Sequence, residues 1–305
     1  RVEYEVWEED RPVERSELLR KAAAADGLLA TLSDRIDDEL LSLCPGLKVV
    51  SNYAVGYDNI DVRAATDRGV VVTNTPDVLT AATADIAFTL MLASARRLVE
   101  GNEFLRSGEW VTWQPNLLLG ADVSGAVLGI YGMGKIGQAV ARRARGFDME
   151  ILYVNRSPRE EAERELGARR VAFEELLARS DFISIHCPLS DETRGLFNES
   201  TLRSMKKTAY LINTSRGPVV DQRALYRACS EGWIAGAGLD VFDIEPVPLD
   251  EPLLTLKNVT TIPHLGSATV RTRESMARLA VENLLAALEG RRPSAVVNPE
   301  VLDGR

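Results

Sequence analysis

The tightest constraint on this chain lies between residues 127 and 157. Val127-Leu-Gly-Ile-Tyr131 reads as a buried strand, Gly132-Met133-Gly134-Lys135-Ile136-Gly137 as a G-x-G-x-x-G turn, Gln138 to Ala144 as a helix and Glu150 to Asn155 as a second strand. In that order each glycine has a separate physical task. The first permits the tight turn, the second lets backbone approach a pyrophosphate, and the third lets helix and strand pack closely. The phosphates would then lie on the helix N-terminus. A lone G-x-G-x-x-G is often a chance loop, but strand and helix flanks in register predict a dinucleotide site. An NAD site places Asp or Glu about twenty residues on, to accept hydrogen bonds from ribose hydroxyls. Here Asn155-Arg156-Ser157 stands instead. A guanidinium cannot accept those bonds, yet it forks onto a 2′-phosphate, so the motif predicts NADP(H) as the preferred cofactor and leaves NAD(H) open. The plainer reading of Arg156 is a solvated surface arginine.

At 305 residues the chain has room for two domains of ordinary size. Its net charge of -9 and lack of a basic cluster argue against nucleic acid, and no run nears the roughly 18 apolar residues of a membrane span. Cys44, Cys187 and Cys229 are odd in number and widely spaced, so neither a disulfide framework nor a metal cluster is indicated. They read as reduced thiols of a cytoplasmic protein. A small anion is the expected partner.

Ahead of the turn, short apolar runs alternate with helical patterns. Strands are expected at Val2 to Trp7, Gly27 to Leu32, Leu47 to Ser51 and Val70 to Thr73, with helices near Glu14 to Ala24, from Asp37, and between Asp61 and Gly69. A long helix from Thr80 through Leu98 is expected to cross between domains. Residues Ser107 to Asn116 have no clear period and carry two tryptophans, which suits an arm against a second subunit. Beyond the turn come strands near Asp181 to His186, Thr208 to Asn213, Ile234 to Asp240 and Asn258 to Ile262, each followed by polar residues. That rhythm is a doubly wound parallel sheet, with ligand-facing residues just past the strand ends. A helix from about Arg271 to Leu288 returns to the first domain. Two crossings predict a cleft with a hinge.

One of only two histidines, His264, follows a strand in Ile262-Pro-His-Leu-Gly266-Ser267. A histidine there can give a proton to a carbonyl oxygen while hydride reaches the carbon. A satisfied structural histidine is its bland counterpart, and that reading fits His186 beside Cys187 better. A proton-donating imidazole needs a carboxylate, for which Glu245 and Asp240 are the candidates. Arg216, past the strand ending at Asn213, could bind a 2-oxo acid's carboxylate bidentately. Asp221 reads as the cap of the helix Gln222 to Glu231.

With these residues in place the chain resembles the D-isomer-specific 2-hydroxyacid dehydrogenase family, and within it the glyoxylate and hydroxypyruvate reductases. The motifs are Val55-Gly-Tyr-Asp-Asn59, Thr73-Asn-Thr-Pro-Asp77, Gly132 to Gly137, Asn213 to Asp221, Gly238-Leu-Asp-Val-Phe242 with Glu245-Pro246, and Pro263 to Ser267. The resemblance covers essentially the whole chain. It implies a Rossmann cofactor domain at residues 95–283 inserted into a flavodoxin-like substrate domain made of residues 1–94 and 284–305. It implies that Arg216 holds the substrate, Glu245 supports the charge of His264, and His264 protonates the substrate oxygen. It assigns Met133 to Ile136 and Asn155 to Ser157 to the nucleotide, Asp240 to the nicotinamide carboxamide region and Val55-Gly56 to the substrate carboxylate. Thr83, Cys187, Pro188, Thr193, Thr214, Ser215 and Gly266 match positions lining the cofactor. Leu79 and Trp113 match residues shaping the substrate pocket, Trp113 from a neighbouring subunit of a homodimer.

Two departures bear on function. Relatives begin with one more strand and helix, so residues are expected before Arg1. Asn155-Arg156 replaces an acidic residue found in many relatives, which favours NADPH and reduction of a small 2-oxo acid to its 2-hydroxy acid. The competing expectations are a cofactor-sensing, corepressor-like binding protein on the same fold, or a family dehydrogenase acting on D-lactate, D-3-phosphoglycerate or phosphite.

Overall fold

The computed structural model describes residues 2–303. Its chain contacts divide it into two compact units, residues 1–79 with 269–305, and residues 80–268.

The first unit begins α1 (Arg15–Ala22), β1 (Gly27–Ala30), α2 (Asp38–Leu43), β2 (Val49–Asn52), α3 (Val62–Asp67) and β3 (Val71–Thr73). The second holds α4 (Thr80–Ala95), α5 (Leu98–Arg106), β4 (Val127–Tyr131), α6 (Lys135–Arg145), β5 (Glu150–Val154), α7 (Glu160–Leu166), β6 (Arg169–Arg170) and α8 (Phe173–Arg179). It continues with β7 (Phe182–Ile185), α9 (Glu199–Arg203), β8 (Tyr210–Asn213), α10 (Gln222–Ser230), β9 (Gly236–Leu239) and β10 (Val259–Thr261). The chain then adds α11 (Val270–Leu288) to the first unit.

In the first unit β1, β2 and β3 form a parallel sheet. Asp37 and Asp61 cap α2 and α3 by accepting from Leu40 N–H at 3.1 Å and Ala64 N–H at 2.9 Å. Helix α11 lies on this sheet: Ser51 Oγ donates to Ala280 O at 2.8 Å, and a Cβ at Gly27 would lie 2.9 Å from Leu284 Cδ1. The tail then pairs with β3, where Asn298 Oδ1 accepts from Val72 N–H and its Nδ2 donates to Val70 O. Residues Val2 to Trp7, expected as a strand, have no ladder partner and are mostly exposed.

The second unit is built on seven parallel strands in the order β10-β9-β8-β7-β4-β5-β6. The order reverses on either side of β4, so the crevice past the ends of β4 and β7 is the topological switch point of a doubly wound sheet. Apolar side chains fill both faces, one under α4 and α6 and the other under α8, α9 and α10. Strands covered on both faces are largely apolar rather than alternating, and Phe182–Ile185 and Tyr210–Asn213 are buried throughout, with Ser184 and Asn213 as their buried polar residues.

The two compact units divide at 79/80 and 268/269, where the sequence expectation for the domains was 94/95 and 283/284. Helix α4 belongs to the sheet of the second unit, because Gly238 of β9 lets it approach: a Cβ there would lie 3.0 Å from Leu90 Cβ and from Ser94 Oγ. Ser94 Oγ also donates to Ala237 O at 3.2 Å. Residues 269–283 belong to the first unit through the contacts of α11 with β2. The expected single helix through Leu98 is instead two, broken at Arg97, whose φ of 52° is left-handed. No helix among the described residues is long and apolar enough to cross a membrane.

Candidate active site

The glycine turn after β4 behaves as its sequence demands. Gly132 has a φ of 99°, and a Cβ there would lie 2.7 Å from the backbone of His186 and Cys187, the loop leaving β7. A Cβ at Gly137 would lie 2.3 Å from Gly132 O. At Gly134 a Cβ would meet nothing within 4 Å. Two glycines are thus required by the protein's own packing, while the middle one faces open space. Gly134 also precedes α6 in extended backbone, with no side-chain cap on the first amides of that helix. A phosphate cradle needs this combination, and the residues fit a dinucleotide.

Lys135 and Ile136 open α6, and Met133 is fully buried beneath the turn. Past β5, Asn155 Nδ2 donates to Ser157 O at 2.9 Å, closing the loop that carries Arg156. No acidic side chain occupies residues 155–157. Past β7, burial pushes the Cys187 thiol up to about 12. Thr193 Oγ1 donates to Pro188 O at 2.7 Å, which draws the 188–193 loop into a compact turn. His186 Nε2 lies 2.8 Å from Ser184 Oγ, and burial pushes its pKa down to about 3, so it is a neutral packing residue. Past β8 the Thr214 Oγ1 is buried with no hydrogen-bond partner, an orphaned polar atom beside Ser215.

Arg216, Asp240, Glu245 and His264 all lie in the second unit. Asn213, at the end of β8, accepts from Ser215 N–H at 3.0 Å and Ser215 Oγ at 2.9 Å, and its Nδ2 donates to Arg216 O at 2.9 Å. This Asx-type turn fixes the backbone from which Arg216 projects. The next residue brings two loops together. A Cβ at Gly217 would lie 2.0 Å from Phe242 C, so only glycine lets the Arg216 loop meet the loop leading to Glu245.

Glu245 Oε2 lies 2.6 Å from His264 Nδ1, while Oε1 accepts Phe242 N–H at 2.9 Å. Burial works to raise the Glu245 carboxyl, but the hydrogen bond and charge of His264, the Phe242 amide and the charge of Arg216 together hold it below its ordinary value. The carboxylate therefore stays ionised. With Nδ1–H given to Glu245, His264 Nε2 is the nitrogen left to hold a transferable proton. Asp240, the other candidate partner, turns to the backbone instead. Its Oδ2 accepts Gly266 N–H at 2.8 Å, its Oδ1 accepts Leu265 N–H, and its carbonyl accepts His264 N–H at 3.0 Å. These bonds clamp His264 in a left-handed conformation with φ of 50°. A Cβ at Gly266 would lie 3.0 Å from Asp240 Oδ2 and 3.5 Å from Thr83 Oγ1, which brings buried Thr83 of α4 to the same loop. Burial raises the Asp240 carboxyl to about 6.

Val55, Gly56 and Leu79 belong to the first unit, where Val55 O accepts from Asn74 Nδ2 at 2.8 Å and Gly56 O from Asn52 Nδ2 at 2.7 Å. Trp113 lies in the irregular arm of the second unit and is 76% exposed. Sequence reasoning missed the turn built by Asn213, although a polar residue ending an apolar strand before Thr-Ser-Arg is its visible signal. It also missed the need for glycine at 217, which depends on a contact 25 residues away.

A sheet ordered about a switch point, with an ionised carboxylate on a histidine and an arginine beside them, defines a dinucleotide-dependent oxidoreductase. The profile described as D-isomer specific 2-hydroxyacid dehydrogenase, NAD binding domain, matches residues 88–266. A glyoxylate reductase of Thermococcus kodakarensis is 55% identical over 99% of this chain and 92% of its own length. Among solved structures, a protein of Thermus thermophilus is 49% identical with a TM-score of 0.88, covering 94% of this chain and 90% of the other. An NADPH-dependent glyoxylate/hydroxypyruvate reductase of Sinorhizobium meliloti, solved with NADP and malonate, is 36% identical with a TM-score of 0.83, covering 91% and 85%. The chain belongs to the D-isomer specific 2-hydroxyacid dehydrogenase family and is an oxidoreductase of that class.

Proposed function

We propose that this enzyme reduces glyoxylate, hydroxypyruvate or both to glycolate and D-glycerate, using NADPH in preference to NADH. The observation that carries the reading is the 2.6 Å contact between Glu245 Oε2 and His264 Nδ1, on a carboxylate held ionised at the end of a nucleotide-binding sheet. The relatives named glyoxylate reductase support the substrate class. The absence of an acidic residue from 155–157 supports the phosphorylated cofactor.

When bound, the reduced nicotinamide supplies the hydride to C2 of the 2-oxo acid. His264 Nε2–H delivers the balancing proton to the C2 oxygen, so the carbonyl becomes a hydroxyl. Glu245 keeps Nδ1 protonated and stabilises the imidazolium from which that proton leaves. Arg216 holds the substrate's carboxylate and carbonyl by charge-assisted hydrogen bonds. Thr83, Cys187, Pro188, Thr193, Thr214, Ser215, Asp240 and Gly266 line the cofactor in the same proposal. Val55, Gly56, Leu79 and Trp113 are proposed to act on substrate, each to be read through KM. The enzyme is proposed to act as a homodimer, supported by the exposed apolar side chains of α5 and the arm that follows it: Leu98, Leu105, Trp110, Val111 and Trp113.

The test is a steady-state assay of both acids with both cofactors. Failure to reduce either acid refutes the substrate reading. A preference for NADH by about tenfold, worth about 1.4 kcal/mol, refutes the cofactor reading.

A further inference from the structure

We propose that Arg170 is a second, positioning guanidinium of the subsite that distinguishes a 2′-phosphorylated ribose. The inference rests on the NADPH reading and adds to it a residue outside the glycine motif and the 155–157 loop.

Arg170 is the last residue of β6, the two-residue strand at the sheet edge, where it pairs with Tyr153 of β5. From there its Nη2 donates to both Asn155 O and Arg156 O, each at 3.0 Å. One planar nitrogen thus bridges two successive carbonyls of the loop that carries Arg156. With Asn155 Nδ2 on Ser157 O, every residue of that loop is held through at least one backbone oxygen. A guanidinium suits this task because it keeps its donors in a fixed plane, so fixing one nitrogen also aims the others.

The charge pattern points to an anion at this place. The neighbouring Arg169 is spent on carboxylates, pairing with Glu175 at 2.9 Å and Glu150 at 3.8 Å. Among the described residues no carboxylate pairs with Arg170 or with Arg156, although acidic residues outnumber basic ones in this chain by 45 to 36. Two exposed guanidiniums tied to one loop, without counter-charges, at the ribose-reading end of β5, make a site for a small dianion. Arg156 supplies a fork by its side chain. Arg170 supplies charge and holds the peptide units from which that fork projects.

The test is calorimetric titration of the purified enzyme with adenosine 2′,5′-bisphosphate and with adenosine 5′-monophosphate, for wild type, Arg170→Ala and Arg156→Ala. The expected result for Arg170→Ala is a loss of about tenfold in affinity for the bisphosphate, as for a charge-assisted contact, with the monophosphate changed less than about threefold. The kcat/KM ratio of NADPH to NADH falls in parallel. Equal weakening of both ligands marks a merely structural role and overturns the proposal, as does no change in either. Arg170→Gln serves as a second variant should the alanine form fail to fold. If wild type itself does not discriminate between the ligands, the cofactor reading fails. If wild type and Arg170→Ala discriminate equally, only the role of Arg170 fails.

Discussion

Glu245 accepts two hydrogen bonds with its two carboxylate oxygens, one from Phe242 N–H and one from His264 Nδ1–H. A glutamine has one acceptor oxygen, so in Glu245→Gln an NH2 group must face one of these donors. The imidazole then loses either its orientation or its tautomer. The variant is expected to lose about tenfold or more in kcat. His264→Asn is expected to lose about 10² to 10⁴. Stopped-flow and steady-state rates at fixed, saturating cofactor check both, and near-normal turnover in either variant removes that residue from the proton-transfer step.

Gly217→Ala tests the meeting of the Arg216 and Glu245 loops. Its new Cβ would lie 2.0 Å from Phe242 C, a backbone atom with no rotamer through which to yield. The loops must separate, at a cost of about 1 to 3 kcal/mol for overpacking. We expect a lower Tm and a fall in kcat of about tenfold or more as Arg216 moves relative to Glu245. Unchanged melting and turnover would sink the idea.

The Asp240 carboxyl makes a prediction with a definite sign. Burial raises it from an ordinary 3.8 to about 6 in the folded chain. Between those values the folded state binds a proton that the unfolded state has released. The group's contribution to stability is therefore present below pH 3.8 and lost as pH rises through about 6. A shift of this size corresponds to about 3 kcal/mol. Asp240→Asn removes the titration, so the Tm of the variant should improve relative to wild type between pH 4 and pH 7, whatever its absolute value. Parallel melting curves across that range would contradict the argument.

Homodimerisation is testable at the arm. Val111 is 91% exposed and Trp113 76% exposed in the single chain. Replacing both by serine should lower the apparent mass in light scattering towards that of one chain, because buried aromatic anchors carry much of an interface's free energy. A wild-type enzyme that already scatters as a monomer refutes the dimer.

Much of the second unit was legible because its strands are covered on both faces, which leaves short, largely apolar runs such as Phe182–Ile185, interrupted only by Ser184. His264 and Glu245 were legible as residue types placed just past strand ends. The residues alone left Glu245 and Asp240 both open as the partner of His264, and only the family resemblance implied Glu245, since both carboxylates follow β9 within six residues of each other and the turn between them decides which faces the imidazole. Arg170 was invisible for another reason. A strand made of Arg169 and Arg170 has no apolar alternation, and it forms only because β5 offers it an edge. The expected strand at Val2–Trp7 failed in the opposite way, with a strand-like pattern but no partner to pair with. Which unit α4 and α11 join was not legible, because long apolar helices look alike in sequence whichever sheet they cover, and these two are sorted by contacts at Gly238 and Gly27.

The division of the chain also fixes an order of events during synthesis. The unit bearing Arg216, Glu245 and His264 is one uninterrupted stretch, residues 80–268, whereas the other is closed only when α11 and Asn298 reach β1 to β3. Domains fold as units when their residues have left the ribosome. Of the two units, the one begun first is therefore the one completed last: β1 to β3 must wait, with one face of their sheet uncovered, through the synthesis of the entire nucleotide-binding unit.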